Sequence, residues 1–389
     1  MESKFQLSVT LKYALVHEWL TPQATGGSEL VVREILRCVD ADLYALIDFE
    51  STNSQSYLFG RKIGTTFLQH LPFSRNGVQK YLPLLPLAIE QVDLRAYDAI
   101  VSSSHTVAKA VLASPQQLHV CYCHSPMRFA WDMTFDYLRS SRMGRGLPGI
   151  ATRYLLHRLR QWDAIAANRV DYFIANSHHT ARRIWRCYRR PATVIYPPVD
   201  IDRFPVVKDK QDFYLTVSRL VSYKQVSTIV RAFNQLKKPL VVIGTGPELS
   251  EIRKLAQSHV QILGAQPNDV VEKYMAQAKA FVYAALEDFG IAIVEAQACG
   301  TPVIALGAGG ALETVRDLHR YPNSATGIFF LEQTVDALVA AVEKFEANWV
   351  AFDSDRIRTQ ATQFTPKIFE EQFLAFLERS CQEFFVPNS

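Results

Sequence analysis

Short apolar runs alternate with amphipathic segments along most of the chain. The runs end in small or polar residues, as buried parallel strands do where they open into loops. They cover residues 12–17, 97–101, 119–123, 171–175, 213–217, 239–243 and 280–285. Between them, apolar residues recur at helical spacing, most clearly in residues 228–236 and 289–299. This alternation predicts an α/β fold with parallel sheets, whose strand ends border a ligand-binding crevice.

A proline-rich segment, residues 196–205, interrupts the chain near its middle. The chain has 389 residues, which is too long for one typical core and suits two domains. We therefore expect an N-terminal domain over residues 1–200 and a C-terminal domain over residues 206–364. The remaining residues, 365–389, carry apolar side chains at helical spacing and predict an amphipathic helix that packs on a core.

Composition narrows the class of protein. With 48% hydrophobic and 21% charged residues, the chain can bury substantial cores and should not be disordered. No run approaches the ~20 consecutive apolar residues of a membrane-spanning helix, and the first residues lack the pattern of a secretion signal. The six cysteines show no scaffold spacing, so we expect cytosolic thiols. Cys121 and Cys123 precede His124, but without a second ligand pair a buried strand end is favoured over a metal site.

Positive charge is concentrated between Arg139 and Arg190, a segment that contains twelve arginines and only two acidic residues. The net charge of the whole chain is +4. No RNP, zinc-finger or helix-turn-helix signature accompanies this charge, so nucleic acid is not the expected partner. An anionic membrane surface is the alternative. Apolar residues at helical spacing stand beside the arginines and suggest an interfacial helix: Leu155, Leu156, Leu159, Trp162 and Ile165. A core-facing helix with a solvated arginine face explains the same pattern.

Two glutamates, Glu287 and Glu295, flank a predicted strand-to-helix turn. Glu287 follows the strand at 280–285, at the edge where open α/β sheets bind ligands. Glu295 projects from about the second turn of the helix. Between them, the free backbone amides near Gly290 and Ile291 suit a phosphate. Alternatively, acids simply favour a helix start.

Two cations, Arg219 and Lys224, stand five residues apart in another strand-to-helix loop. They could hold a diphosphate, Arg through its planar fork and Lys as a point charge, or they could be solvated loop charges. The next predicted strand ends in a turn that contains Gly244 and Gly246 and could border the same nucleotide pocket.

In the first half of the chain, Gly26 and Gly27 follow the first predicted strand and open a helix, which Ser28 can cap. This arrangement offers an anion site, although a flexible turn is the simpler alternative. No GxGxxG fingerprint is present there, which disfavours a nicotinamide dehydrogenase. His124 ends a strand and can donate to a sugar hydroxyl or stabilise developing charge.

The segment from Glu287 to Glu295, with the following Gly-Thr-Pro-Val-Ile, closely resembles the paired-glutamate motif of retaining glycosyltransferases of family GT4. The resemblance implies a GT-B fold of two Rossmann-like domains with parallel sheets facing a central cleft. It also implies that the last helix packs back on the N-terminal domain.

The same resemblance implies roles for individual residues. The donor sugar would meet Glu287 and His124, and the ribose hydroxyls would meet Glu295. The backbone of the Phe289-Gly290-Ile291 turn would lie between the two glutamates. The diphosphate would be held by Arg219 and Lys224, and the Gly-Gly turn would lie beside the donor diphosphate and the acceptor. No cofactor is implied. The leaving group would be stabilised without a metal ion. Asp353-Ser354-Asp355 has the Asp-x-Asp form of a metal-binding motif, and we interpret this match as accidental.

The phrase from His124 to Asp132, which includes Arg128, resembles a narrower group, the bacterial mannosyltransferases of O-antigen and exopolysaccharide synthesis. It implies transfer of mannose from GDP-mannose, with retained configuration, to a lipid-linked or polysaccharide acceptor. The expected location is the cytoplasm, peripheral to the inner face of the cell membrane. A UDP-sugar as donor, or a non-catalytic sugar-nucleotide-binding scaffold protein, remains open.

Overall fold

The computed structural model describes residues 11–21, 26–140 and 146–386, and within them the chain divides into two compact units. Unit 1 combines the residues up to Tyr196 with those from Phe369 onward, and unit 2 runs from Pro197 to Ile368. The first division falls inside the proline-rich segment 196–205. The second falls within the last helix.

Unit 1 is built on a seven-stranded parallel sheet in the order β3-β2-β1-β4-β5-β6-β7. The strands are β1 (Tyr13–Leu20), β2 (Ala41–Asp48), β3 (Ile63–Gly64), β4 (Ala99–Ser104), β5 (Leu118–Cys123), β6 (Tyr172–Ala175) and β7 (Ala192–Val194). Chain order reverses between β1 and β4, so the connections after these two strands leave in opposite directions. Such a reversal opens a crevice at the carboxyl ends of the strands.

Helices of unit 1 cover both faces of this sheet. They are α1 (Gly27–Cys38), α2 (Ser74–Gly77), α3 (Leu85–Glu90), α4 (Thr134–Ser140), α5 (Gly146–Ala166) and α6 (His178–Tyr188). One core joins α3 and α5 to β1 and β4, through residues such as Leu85, Leu156 and Ile100. Parallel sheets are covered in this way because both faces of each strand are apolar.

Unit 2 carries a six-stranded parallel sheet in the order β10-β9-β8-β11-β12-β13, with its own reversal between β8 and β11. The strands are β8 (Tyr214–Val217), β9 (Leu240–Ile243), β10 (Val260–Gly264), β11 (Ala280–Tyr283), β12 (Val303–Leu306) and β13 (Gly327–Phe330). The helices are α7 (Val226–Leu236), α8 (Leu249–Leu255), α9 (Asn268–Gln277), α10 (Ile291–Ala298), α11 (Ala311–Thr314), α12 (Val335–Ala347) and α13 (Ser354–Ala361). Its core centres on Tyr214, Phe233 and Phe345.

The last helix, α14 (Pro366–Phe385), completes the second core of unit 1. Phe369 and Phe373 stack with ring centroids 5.7 Å apart, and Phe369 also contacts Tyr122 of β5. Both phenylalanines are fully buried against the face of the sheet that α1 also covers. The helical spacing of aromatic residues in the sequence thus corresponds to a core-facing stripe.

Helix α5 turns inward the apolar residues that the sequence suggested for a membrane interface. Leu156 and Leu159 are only 5% and 3% exposed and belong to the core, and Leu155 and Trp162 pack against it. Ile165 alone of the five stays exposed. The prediction that these residues form a membrane-facing stripe was therefore wrong, because the stripe packs against the sheet, as the core-facing alternative had it. Arg142 and Arg145, two of the twelve clustered arginines, lie outside the described residues.

None of the helices in the described part of the chain combines the length and apolar character that crossing a bilayer requires.

Candidate functional site

The reversal point of unit 2 brings a lysine and a glutamate together. Lys224 lies in the loop after β8, and Glu287 follows β11. The Lys224 ammonium donates a hydrogen bond to the Tyr283 hydroxyl at 2.7 Å and forms an ion pair with the Glu287 carboxylate. The Tyr283 hydroxyl lies 3.3 Å from the same carboxylate oxygen and donates to it. The three groups form a closed, largely buried cluster at the carboxyl edge of the sheet.

The protonation states in this cluster follow from its surroundings. Burial by itself would lower the pKa of Lys224, but Tyr283 and Glu287 outweigh burial and raise that pKa above its ordinary value. Burial, followed by the charge of Glu287, raises the pKa of Tyr283 well above its usual range. Lys224 is therefore a cation and Tyr283 a neutral phenol. An ammonium has three N–H donors, so one donor of Lys224 remains for a ligand oxygen.

Arg219 lies in the same loop and is exposed. Its guanidinium makes no hydrogen bond or ion pair with any residue that the structure describes, so its planar donors are available to a ligand. The backbone on both sides is fixed: the Ser218 amide donates to Ile243 and the Leu220 amide to Thr245. The exposed Arg219 side chain is thus carried on a backbone that hydrogen bonds hold in place.

The close approach of the Arg219 loop explains why positions 244 and 246 are occupied by glycine. A Cβ atom at Gly244 would stand 1.8 Å from the Ser218 carbonyl oxygen, and one at Gly246 would stand 2.4 Å from that of Leu220. Any side chain at either position would displace the loop that carries Arg219. The structure therefore gives both glycines a packing role, and contact with a nucleotide stays a prediction for them.

The turn before α10 has the features of an anion site. Gly290 adopts φ +90°, a conformation that favours glycine, and α10 begins at Ile291. No side chain caps this helix among the described residues, so its first amides stay available. Phe289 buries its ring against Phe364, with centroids 5.3 Å apart. Only the backbone of Phe289 can therefore face a ligand here.

A second glycine pair, Gly309 and Gly310, supports the Glu287 loop. The Gly310 amide donates to the Glu287 carbonyl at 2.9 Å, and a Cβ at Gly309 would stand 2.3 Å from that oxygen. A Cβ at Gly310 would stand 2.4 Å from the Cα of Phe289. This turn was not placed in the site by the sequence analysis above. The available signal was a pair of adjacent glycines separated by two residues from the end of a strand and directly before a helix.

Glu295 lies half-buried on α10, and its carboxyl group makes no hydrogen bond to the described residues. Burial raises its pKa to about 7, while Arg203 lowers the pKa and Glu272 raises it further. Arg203 itself forms an ion pair with Glu272 at 2.5 Å. A carboxyl group that is removed from water without a partner costs free energy. It is suited to accept hydrogen bonds from ligand hydroxyls.

The reversal point of unit 1 collects polar side chains around His124. His124 directly follows β5, and its Nε2 lies 2.8 Å from the hydroxyl of Ser103 on β4. The same hydroxyl lies 3.1 Å from Nδ1 of His17 on β1. Burial, with smaller effects of His105 and His17, lowers the pKa of His124 well below its ordinary value. The imidazole is therefore neutral.

The Gly-Gly turn after β1 differs from expectation at its cap. Gly26 precedes α1, and its amide donates to the Glu29 carboxylate at 2.8 Å. The Ser28 hydroxyl also donates to Glu29, at 2.9 Å, so the prediction that Ser28 caps the helix was wrong. The physical reason is that α1 begins at Gly27, which places Ser28 inside the first turn. A protein carboxylate thus already lies at this helix start.

The segment after His124 is tied to α6. Arg183 donates from one guanidinium to the Ser125 hydroxyl at 2.6 Å and to Asp132 at 2.8 Å. Arg128 lies between these anchor points and is half-buried. The structure thus fixes both ends of the segment that carries Arg128.

A buried charge pair anchors the same segment from α5. Lys109 and Asp163 form a fully buried ion pair, and the Asp163 carboxylate accepts hydrogen bonds from Trp131 at 2.7 Å and Tyr188 at 2.8 Å. The carboxylate is thus satisfied by a cation and two neutral donors, as a buried charge requires.

His105, which sequence reasoning did not single out, belongs to the same surroundings. Its ring lies 4.8 Å from that of Trp19 and 6.5 Å from that of His124, measured between centroids. The loop that carries it is held by Glu18, whose buried carboxylate accepts the amides of residues 105–108. Burial alone would raise the pKa of Glu18, but His105 and these amides outweigh it and lower the pKa. The sequence signal that could have identified His105 is its position after three serines at the end of a strand.

Asp353 and Asp355 have local structural roles. Asp353 accepts the Arg356 amide at 2.9 Å and caps α13, and Asp355 forms an ion pair with Lys208 at 2.6 Å. These contacts account for both carboxylates without a ligand.

Comparison with family models gives two adjacent matches that together cover residues 25–364. Residues 25–203 match the model described as Glycosyltransferase Family 4. Residues 199–364 match the model described as Glycosyl transferases group 1. The boundary between the two matches coincides with the proline-rich segment.

Among curated proteins, the chain is similar to a GDP-mannose-dependent alpha-(1-6)-phosphatidylinositol monomannoside mannosyltransferase of Mycobacterium tuberculosis. The two are 30% identical over an alignment that covers 43% of this chain and 50% of the relative. A GDP-mannose-dependent monoacylated alpha-(1-6)-phosphatidylinositol monomannoside mannosyltransferase of Corynebacterium glutamicum is 31% identical over 43% of this chain and 51% of that protein. The matched stretch thus spans about half the length of these relatives.

Solved structures agree over nearly the whole chain. HepE from Anabaena in complex with UDP and glucose has a TM-score of 0.68 at 18% identity, covering 95% of this chain and 100% of that one. Sucrose-phosphate synthase from Thermosynechococcus elongatus has a TM-score of 0.69 at 18% identity, covering 94% of this chain and 98% of that one. At this level of identity the likeness shows the fold, which is GT-B.

The raised pKa of Glu295 predicts a pH-dependent effect on stability. The folded-state pKa of about 7 exceeds the ordinary value of 4.5, so ionisation of Glu295 destabilises the fold increasingly as the pH rises through this window. Glu295→Gln should therefore gain about 2 kcal/mol of stability relative to wild type between pH 5 and pH 8. Urea unfolding at both pH values measures the gain.

The matched control is Glu343→Gln, at an exposed glutamate of α12. Its stability relative to wild type should stay constant over the same pH range. An effect of Glu295→Gln that is equally independent of pH would contradict the origin assigned to the raised pKa.

Proposed function

This chain belongs to glycosyltransferase family 4, and we propose that it transfers mannose from GDP-mannose to a lipid-linked or polysaccharide acceptor in cell-surface glycan synthesis. The observation that carries the proposal is the cluster of Lys224, Tyr283 and Glu287 beside the start of α10, where none of the described side chains caps the helix. Cations and free amides at the carboxyl edge of a parallel sheet suit a nucleoside diphosphate.

Different residues of unit 2 contact different parts of the donor. Arg219, Lys224 and the amides at Gly290 stabilise the charge that develops on the diphosphate as the glycosidic bond breaks. Glu287 contacts the donor sugar. The carboxyl group of Glu295, which is not hydrogen-bonded to any described residue, accepts hydrogen bonds from the ribose hydroxyls. Because the charge on the diphosphate grows toward the transition state, the cations lower the barrier more than they tighten binding.

Transfer proceeds with retention of configuration. The bond between the anomeric carbon and the diphosphate oxygen breaks, and a bond from the acceptor oxygen forms on the same face. The acceptor proton passes to an oxygen of the departing diphosphate. His124, neutral and buried, donates a hydrogen bond to the sugar. Gly26, Gly27 and Arg128 contribute to the surroundings of the diphosphate and the acceptor.

Mannose and guanine are supported by the curated relatives, whose names specify GDP-mannose-dependent transfer. A UDP-sugar is the second candidate donor. It is favoured by solved structures with the same fold that hold UDP, UDP with glucose, or UDP-glucose. The Lys224 cluster binds the diphosphate common to both donors, so the choice of base depends on other contacts.

We further propose that the chain is cytoplasmic and contacts an anionic membrane, at the inner face, through the first half of α5. On this half, Leu147, Ile150 and Tyr154 are 81%, 65% and 66% exposed and follow one stripe of the helix. Arg153 and Arg158 are exposed next to the stripe. Apolar side chains beside arginines suit the boundary between lipid tails and anionic headgroups.

A donor screen tests the proposed substrate. Melting temperature is measured with GDP-mannose, UDP-glucose, UDP-N-acetylglucosamine and ADP-glucose, because a ligand bound only by the folded state stabilises it by about 2.7 kcal/mol at a hundred times its Kd. GDP-mannose should give the largest shift and should be consumed when a lipid-linked acceptor is added. A larger shift with a UDP-sugar would instead support the second donor, and binding without transfer to any acceptor would support a scaffold protein.

Substitution of Lys224 and Glu295 should separate turnover from binding. Lys224→Met keeps the apolar stem but removes the cation, so we expect kcat to fall about a hundredfold with little change in donor Kd. Glu295→Ala should mainly weaken the binding of the donor, by about tenfold, because hydrogen bonds to the ribose are lost. Steady-state kinetics and calorimetry measure the two effects.

Lys238→Met is the control for charge removal. Lys238 forms an ion pair with Glu346 at 3.0 Å and precedes β9, at the amino edge of the same sheet. Its replacement should leave kcat unchanged. Normal turnover in Lys224→Met would remove this lysine from the catalytic step.

Membrane contact is tested with vesicles of anionic and of neutral lipid. The double variant Leu147→Ser, Ile150→Ser should bind anionic vesicles at least tenfold more weakly than wild type, because two large apolar side chains no longer enter the interface. Leu331→Ser removes a leucine that is 82% exposed in unit 2 and should have no effect. Wild-type binding that ignores lipid charge and salt would contradict the proposal.

A further inference from the structure

Three side chains of unit 1 form a continuous hydrogen-bonded chain that ends at His124. It begins at His17, whose Nδ1 lies 3.1 Å from the Ser103 hydroxyl. The Ser103 hydroxyl in turn lies 2.8 Å from His124 Nε2. His17 and Ser103 are fully buried, and β1 pairs with β4 so that these two residues are register partners. The geometry of the chain is therefore set by the sheet.

The direction of the hydrogen bonds follows from one backbone carbonyl. His17 Nδ1 also lies 3.1 Å from the carbonyl oxygen of Ser103. A carbonyl can only accept, so His17 Nδ1 carries a proton. The Ser103 hydroxyl therefore cannot donate to that nitrogen, and its single proton is directed to His124 Nε2.

This direction determines which nitrogen of His124 is protonated. Burial keeps the imidazole neutral by lowering its pKa, so it carries one proton. Since Nε2 accepts from Ser103, the proton is on Nδ1. Nδ1 makes no hydrogen bond with the residues that the structure describes, and is available to a ligand.

We propose that Ser103 and His17 are positioning residues that hold His124 in the Nδ1–H tautomer, so that it presents a hydrogen-bond donor to an oxygen of the substrate. The inference deepens the proposed function, on which the substrate contact of His124 rests.

A neighbouring pair in the same sheet shows the same bond without a free nitrogen. Ser102, next to Ser103, bonds to His119 Nε2 at 2.9 Å, and His119 Nδ1 lies 3.0 Å from the carbonyl oxygen of Arg169. Both nitrogens of His119 are thus bonded to the protein, and the residue is fully buried. Ser102 therefore provides a control with the same chemistry and no access to a ligand.

The tautomer can be read directly by NMR of protein labelled with ¹⁵N-histidine, because protonated and bare ring nitrogens resonate far apart. His124→Gln assigns the signals of His124 by their loss. Wild type should show His124 protonated at Nδ1 and bare at Nε2. Ser103→Ala should shift the proton toward Nε2, Ser103→Thr should restore the wild-type pattern, and Ser102→Ala should leave His124 unchanged.

Kinetics provide the second measurement. Ser103→Ala should lower kcat by about tenfold to a hundredfold. This decrease is similar to, or somewhat smaller than, the decrease in kcat caused by removing one preorganised hydrogen-bond donor from a reacting centre. KM should change little, and Ser103→Thr should recover most of the activity. Ser102→Ala, which removes the same hydroxyl beside a histidine without ligand access, should keep kcat near that of wild type.

The outcomes separate this inference from the proposed function. The inference is overturned if wild-type His124 is protonated at Nε2, if Ser103→Ala leaves the tautomer unchanged, or if the tautomer shifts while kcat does not. The NMR measurement requires no donor or acceptor. A protein that binds no sugar nucleotide would contradict the proposed function, while the tautomer result would still stand as evidence on the hydrogen bonds from His17 through Ser103 to His124.

Discussion

The arrangement of both sites depends on one constraint of parallel sheets, the reversal of strand order. In unit 1 the order reverses between β1 and β4, and in unit 2 between β8 and β11. Connections on either side of a reversal leave in opposite directions, so the strand ends between them are not covered by the chain itself. His17 and Ser103 belong to the strands beside one reversal, and Lys224 and Glu287 follow those beside the other. Neither group could converge if the strands followed simple sequential order.

Charge in these sites is largely compensated before any ligand arrives. Lys224 is neutralised by Glu287, and Glu18 by a ring of amides. Arg219 and Glu295 differ, since neither side chain is bonded to the described residues. The first is exposed and remains hydrated, whereas the second is half-buried and loses hydration. The site therefore combines a preorganised cluster with two groups whose interactions are left to be completed by a ligand.

Local sequence signals were sufficient for the parts of the site that follow strand ends. The apolar run before Glu287 and the glycines around it predicted the turn to α10, and the parallel α/β architecture followed from alternating runs. Contacts between distant segments were not predictable. Nothing near Ser103 indicates that it meets His17, because their distance is fixed only by the pairing of β1 with β4. Periodicity likewise could not distinguish a core-facing α5 from an interfacial one, since both require one apolar stripe.

The glycine turn at residues 309–310 makes the loops after β11 and β12 a single packed unit. Because the backbone of one loop occupies the space where side chains of the other would stand, neither loop can change its path alone. Directed evolution of donor preference would consequently gain little from randomising the Glu287 loop by itself. Libraries that diversify both loops together, while retaining the two glycines, would sample far more foldable variants.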